Sequence, residues 1–124
     1  MLGYTVGNEL TARDLQQTDG QWTRAKGFDT FCPFRPLDRH RLRPGGRADH
    51  LPRQRAMRQL ASTRDMVFGV GVLVAYVSSV MTLEPGDLIF TGTPAGVSPL
   101  QPGDTVEAEI EGLGLLSNPV RSAD

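Results

Sequence analysis

Cysteine is nearly absent from this 124-residue chain. Cys32 stands alone, which excludes an internal disulfide framework and a cysteine-built zinc site. Lysine is equally scarce, with Lys26 the single example, and histidine is confined to His40 and His50. No charge of one sign dominates: the formal net charge is −1, so nothing global points to nucleic acid or to a membrane surface. A strongly apolar run of about 20 residues, the length of a membrane span, is also missing. The longest uncharged stretch, residues 66–83, contains Gly69, Gly71, Ser78, Ser79 and Thr82, and no basic anchor follows it. Its Val70, Leu73, Val74 and Val77 repeat at helical spacing, which predicts a buried core helix rather than a span. No basic segment followed by an apolar one opens the chain, so the default expectation is a cytoplasmic protein.

What is present fits one small domain or part of a larger one. Hydrophobic residues make up 39% and charged residues 22%, enough for a modest folded core. Fourteen glycines and nine prolines predict many turns. The charge is unevenly spread. Eight of the 12 arginines lie between Arg35 and Arg58, with both histidines and only Asp38 and Asp49 to balance them. No helix or strand period can be read across residues 35–55. The stretch has three readings. It can be a poorly ordered insert. It can be a nucleic-acid arm, although it lacks the interleaved aromatics that stack bases. It can also be a frame-shifted stretch, since Arg, Pro and Gly are what CG-rich codons encode. With permitted codons the neighbouring frame over residues 35–55 spells GPWIDTDFDPADVRITCRVNG, which contains a strand-like RITCRV and an Asn-Gly hairpin turn. That reading requires two compensating indels, one near Phe34 and one near Met57.

Elsewhere the coarse elements are legible. Residues 3–8 read as a short strand, and residues 10–16 as one or two helical turns capped by Thr11 or Asn8. Residues 21–34 read as a loop. Two Pro-Gly-Asp turns, at residues 84–87 and 101–104, punctuate strands over residues 88–91, 105–111 and 115–120. Glu107, Glu109 and Glu111 alternate with Ala108 and Ile110, the pattern of one solvated strand face. A β-rich ending with hairpins and one packed helix is expected.

Few residues offer chemistry. Lys26, set among aromatics in RAKGFDTF, is either a surface charge or an ammonium placed to stabilise an oxyanion or enolate. Arg13 between Glu9 and Asp14 suggests a structural ion pair. The Gly-rich loop at residues 91–97 follows a strand and can expose backbone N–H groups to an anion. It lacks the Walker lysine and the GxGxxG spacing. Ser and His form no credible triad, because both histidines lie in the basic stretch. Cys32, before Pro33, reads as a buried inert thiol.

Taken in order, GYTVGNELTARDLQ, QWTRAKGFDTFCP, RQLASTRDMVF, MTLEPGDLIFTGTPAGV and PGDTVEAEIEGLGLLSNPV resemble the fumarylacetoacetate hydrolase family. They cover nearly everything outside residues 35–55, where the family has GPW or a similar apolar string. The resemblance implies an α+β, β-rich fold, a mixed β-roll of the family's C-terminal-domain type. Residues 1–124 would be the C-terminal portion of that catalytic domain, incomplete at its N-terminal side. It implies metal-dependent hydrolysis or decarboxylation at C–C bonds of 2-oxo or 1,3-dioxo acids, or isomerisation of related acids, commonly in homodimers. The cofactor implied is Mg²⁺ or Mn²⁺, which would stabilise an enolate.

Carried over by residue, the resemblance makes Glu9 a metal ligand where the family usually has aspartate. It makes Lys26 and Arg13 catalytic, Lys26 stabilising developing negative charge. Gln16, Thr93 and Gly92 become substrate-binding, with Thr93 on the substrate carboxylate. The other two carboxylate ligands, an ExE pair, come in the family from upstream of GYTVGN. Glu107-Ala-Glu109 is an ExE by spelling alone. The expectation is therefore an enzyme by descent that is weak or inactive as this chain. The partner expected is a small oxo-acid substrate, with no membrane. The alternatives are a non-catalytic remnant or dimerising fragment, and a basic nucleic-acid-binding module.

Overall fold

The computed structural model describes residues 1–35, 48–53 and 56–122. They form a small mixed α/β structure around one four-stranded antiparallel sheet of order β2-β1-β3-β4. The elements are α1 (Arg13–Thr18), α2 (Thr23–Lys26), β1 (Ala48–Arg53), β2 (Ala56–Ser62), α3 (Val70–Val80), β3 (Thr105–Ile110) and β4 (Gly114–Pro119).

β3 and β4 arise where the sequence predicts them. Alternation puts Ala108 on the buried face of β3 and Thr105 and Glu109 on the exposed face, as a half-buried strand requires. Gly112, at φ 78°, supplies the left-handed residue of the connection, and β4 returns with Ala108 opposite Leu116. Both Pro-Gly-Asp turns are built alike. The Asp87 carboxylate accepts from the Glu84 backbone N–H at 2.8 Å, and the Asp104 carboxylate accepts from that of Gln101 at 2.7 Å. Asp104 is buried, so the second turn is anchored in the body of the molecule.

The N-terminal part is held by backbone bonds rather than by a sheet. Residues 6–12 run alongside residues 25–35 through Asn8 N–H to Pro33 O at 2.9 Å, Leu10 N–H to Phe31 O at 2.8 Å and Ala12 N–H to Ala25 O at 2.9 Å. The predicted strand over residues 3–8 is thus reduced to a single bridge, Gly7 to Phe34. α1 starts at Arg13, and its N-cap is Ala12, without a side-chain cap from Thr11 or Asn8. The stretch read as a loop contains the one-turn α2.

Three further expectations need correction. α3 forms over most of the predicted helix, but none of its residues is buried, so it is not a core helix. Residues 88–91 form no strand. Ala48–Arg53, inside the basic stretch where no strand period can be read, is a paired strand. Residues 36–47 and 54–55 of that stretch lie outside the described residues. No helix among the described residues is long and apolar enough to cross a membrane.

Candidate functional site

The chain folds so that Lys26, at the end of α2, meets Glu9, just ahead of α1. The Lys26 ammonium donates to a Glu9 carboxylate oxygen and forms an ion pair with it. The backbone bond between Ala12 and Ala25, with Ala25 fully buried, brings the two segments together. Arg13 does not pair with a neighbouring acid as the sequence suggested. Its guanidinium donates to Gln16 Oε1 at 2.6 Å, one helical turn on. That bond occupies the acceptor end of the Gln16 amide and leaves its NH₂ end to donate to a ligand. Beside this group, Arg24 grips Asp19 with two bonds of 2.8 and 2.7 Å, which hold the Asp19 carboxyl below its usual range. The Asp19–Arg24 clasp joins the end of α1 to α2. Lys26 borders a hollow with Gly20, Gln21, Trp22 and Thr23.

Thr93 and Gly92 sit elsewhere. They line a cleft of about 450 Å³ that also takes in Thr5, Gly7, Phe34 and Phe90. The Phe90 ring lies so close to Gly7 that a Cβ there would stand 2.8 Å from two ring carbons. Glycine is therefore what lets the ring form the wall. The loop carrying Thr93 is fastened to β2. Gly96, at φ 104°, lies over the Arg58 carbonyl oxygen, where a Cβ would come within 2.1 Å. Gln59, buried in β2, reaches Thr93 and Pro94.

Of the six site residues expected from sequence, four lie on or just ahead of α1 and α2 as two pairs, Glu9 with Lys26 and Arg13 with Gln16. Thr93 and Gly92 line the second cleft. Gln59 was missed. RQLAS carries no signal for it, since polarity alone would expose Gln59 and bury Leu60, and β2 does the reverse. Cys32 is exposed rather than buried.

The divalent cation implied by the resemblance finds no complete site here. Among the described residues no three His, Cys, Asp or Glu side chains come together to hold a metal. The Glu9 carboxylate is engaged by Lys26. A hard cation takes several oxygen ligands, and one paired carboxylate does not supply them.

Comparison with known proteins bears on all of this. The family described as fumarylacetoacetate (FAA) hydrolase C-terminal matches residues 1–121. A Mycobacterium tuberculosis protein, Rv2993c, is 54% identical over 123 residues, which are 97% of this chain and 46% of that protein. The mitochondrial oxaloacetate decarboxylase of Dictyostelium discoideum is 40% identical over 122 residues, 90% of this chain and 54% of that protein. The crystal structure of 5-carboxymethyl-2-hydroxymuconate delta-isomerase from Mycobacterium smegmatis is similar with a TM-score of 0.95. Its identity is 49%, and the match covers 97% of this chain and 48% of that one. The chain thus spans about half the length of the curated relatives it matches.

Proposed function

The chain belongs to the fumarylacetoacetate hydrolase family, and from that premise we propose that it is the C-terminal part of a catalytic domain acting on small 2-oxo or 1,3-dioxo acids. The proposal extends to a mixed β-roll incomplete on its N-terminal side, a homodimer in the whole enzyme and a cytoplasmic setting. The observation that carries it is the Lys26–Glu9 pair, formed where the Ala12–Ala25 backbone bond ties the segment that also bears Arg13 and Gln16 to α2. Relatives named as a decarboxylase and an isomerase support carbonyl-acid chemistry of this kind.

The residues fit distinct tasks in that reaction. When a C–C or C–H bond next to a carbonyl breaks, its electrons move into the carbonyl and leave an enolate. A fixed ammonium nearby stabilises the new charge, and Lys26 supplies one. Glu9 compensates Lys26 in the resting state and holds its Nζ in place. Gln16, its oxygen occupied by Arg13, turns its NH₂ toward a substrate oxygen. Thr93 and Gly92 provide a hydroxyl and backbone N–H for a substrate carboxylate. A Mg²⁺ or Mn²⁺ ion would need carboxylates from beyond the described residues, so we propose weak or absent turnover for the chain alone.

Pyruvate, the simplest 2-oxo acid, tests the reading. Titrated into the isotope-labelled chain, it is expected to shift amide resonances of residues 13–16, 26 and 92–93. Shifts absent from both groups at tens of millimolar pyruvate would overturn the proposal. A second reading, the non-catalytic remnant, is favoured by the missing metal cluster and would show that negative result. Binding to the basic stretch is the least supported alternative. Retention of generic DNA at low salt, lost as salt rises, would be needed to revive it.

A further inference from the structure

Gln59 is 5% exposed, and its side-chain amide faces the Thr93 loop. Its Nε2 lies 2.7 Å from the Pro94 carbonyl oxygen and 3.1 Å from Thr93 Oγ1. A carbonyl oxygen can only accept, so the amide must present its NH₂ end to Pro94. The same nitrogen then has its second hydrogen for Thr93. Thr93 Oγ1 is therefore an acceptor toward Gln59, and its own O–H hydrogen is left to donate. Thr93 lines the same cleft as Thr5, Gly7, Phe90 and Gly92. The loop is held at this distance from β2 independently, because Gly96 lies on the Arg58 carbonyl next door.

We infer that Gln59 is a positioning residue that fixes the polarity of the Thr93 hydroxyl, making it a donor aimed at a carboxylate oxygen of the bound acid. The inference rests on the proposed reading of Thr93 as a substrate contact. Gln59 touches no substrate in this account and acts through Thr93. Two donors on one nitrogen are what the task requires. A methionine or leucine at 59 supplies none. A carboxylate at 59 would repel the Pro94 oxygen and draw the Thr93 hydrogen toward itself, away from the ligand.

Oxalate, which presents adjacent carboxylate oxygens and needs no turnover, is the probe. Its affinity is read from amide shifts of residues 92–93 in the wild-type chain, Gln59→Met, Gln59→Glu, Thr93→Val and the Gln59→Met/Thr93→Val double variant. A hydrogen bond to a charged ligand is strong enough that its loss is expected to weaken oxalate about tenfold or more. Each single variant is expected to show that loss. The double variant is expected to lose no more than Thr93→Val, because Gln59 acts only through that hydroxyl. Additive losses, or an unchanged affinity in Gln59→Met, would overturn the positioning role. No oxalate binding by the wild type would overturn the reading of the cleft on which the role rests. Where Gln59→Met fails to fold, Gln59→Glu in the same cycle with Thr93→Val decides by the same criterion.

Discussion

Glu9 and Lys26 are 17 positions apart, and their pairing adds a side-chain contact to the backbone bonds that join two motifs of the family resemblance. Both side chains keep partial access to water, 40% and 26% respectively, so the pair is screened. Glu9→Gln is therefore expected to cost no more than ~1 kcal/mol of stability in a denaturant titration. A loss beyond ~3 kcal/mol would instead mark a desolvated pair. Gly96 is a stricter position. With φ at 104° and the Arg58 oxygen where a Cβ would go, Gly96→Ala is expected to destabilise by ~2 kcal/mol or more, seen as a lower denaturant midpoint. An unchanged midpoint would show that the loop moves freely off β2. Asp19 carries a pH signature. Its folded-state pKa is lowered by Arg24, so the stabilisation is present above the ordinary aspartate pKa. It is lost as pH falls through the lowered value. Arg24→Gln is expected to flatten that acid limb in a pH series of melting temperatures by lowering the neutral and alkaline values slightly, while leaving the acid end in place.

At the scale of elements, β3, β4 and the Pro-Gly-Asp turns were legible because the sequence carries both the alternation and the turn residues that make them. α3 was legible as a helix and not in its exposure. A period of Val70, Leu73, Val74 and Val77 says which face seeks burial, but it cannot say whether a surface is there to meet it. The pairing of Lys26 with Glu9 was not legible as a contact, although the resemblance assigned both residues to one site. β1 was illegible for a different reason. ADHLPR has no period, and Pro52 can donate no ladder bond. Yet β1 lies between β2 and β3, and its register with β2 shifts at Leu51 and Pro52. Without β1 the sheet would part in two, which favours a substituted stretch over an inserted one. The neighbouring-frame string places RITCRV on residues 48–53, the six residues of β1. Replacing Pro52 with valine is expected to raise the melting temperature, since it restores a donor and a β-branched residue to an interior strand. A fall would show that the irregularity at Pro52 is needed. Sequencing the coding DNA is expected to show paired indels bracketing residues 35–55. An intact frame there would refute the shifted-frame reading.

Among the described residues many large apolar side chains are exposed. Val67 is 88% exposed, Tyr76 72% and Val80 67%, while the buried apolar residues among those described are Val6, Ala25 and Ala108. Large exposed apolar patches mark surfaces that associate. The isolated chain is expected to elute as a self-associated species in size-exclusion chromatography and to melt broadly. A monomer with a sharp cooperative melt would contradict this. Lys26, Arg13, Gln16 and Thr93 are present, but the described residues lack a full set of cation ligands. The most direct test is the rate of oxaloacetate loss with millimolar Mg²⁺ or Mn²⁺, corrected for the metal ion alone. The account predicts a rate barely above that correction. Turnover in the ordinary enzymatic range, about 1 s⁻¹ or faster, would contradict it.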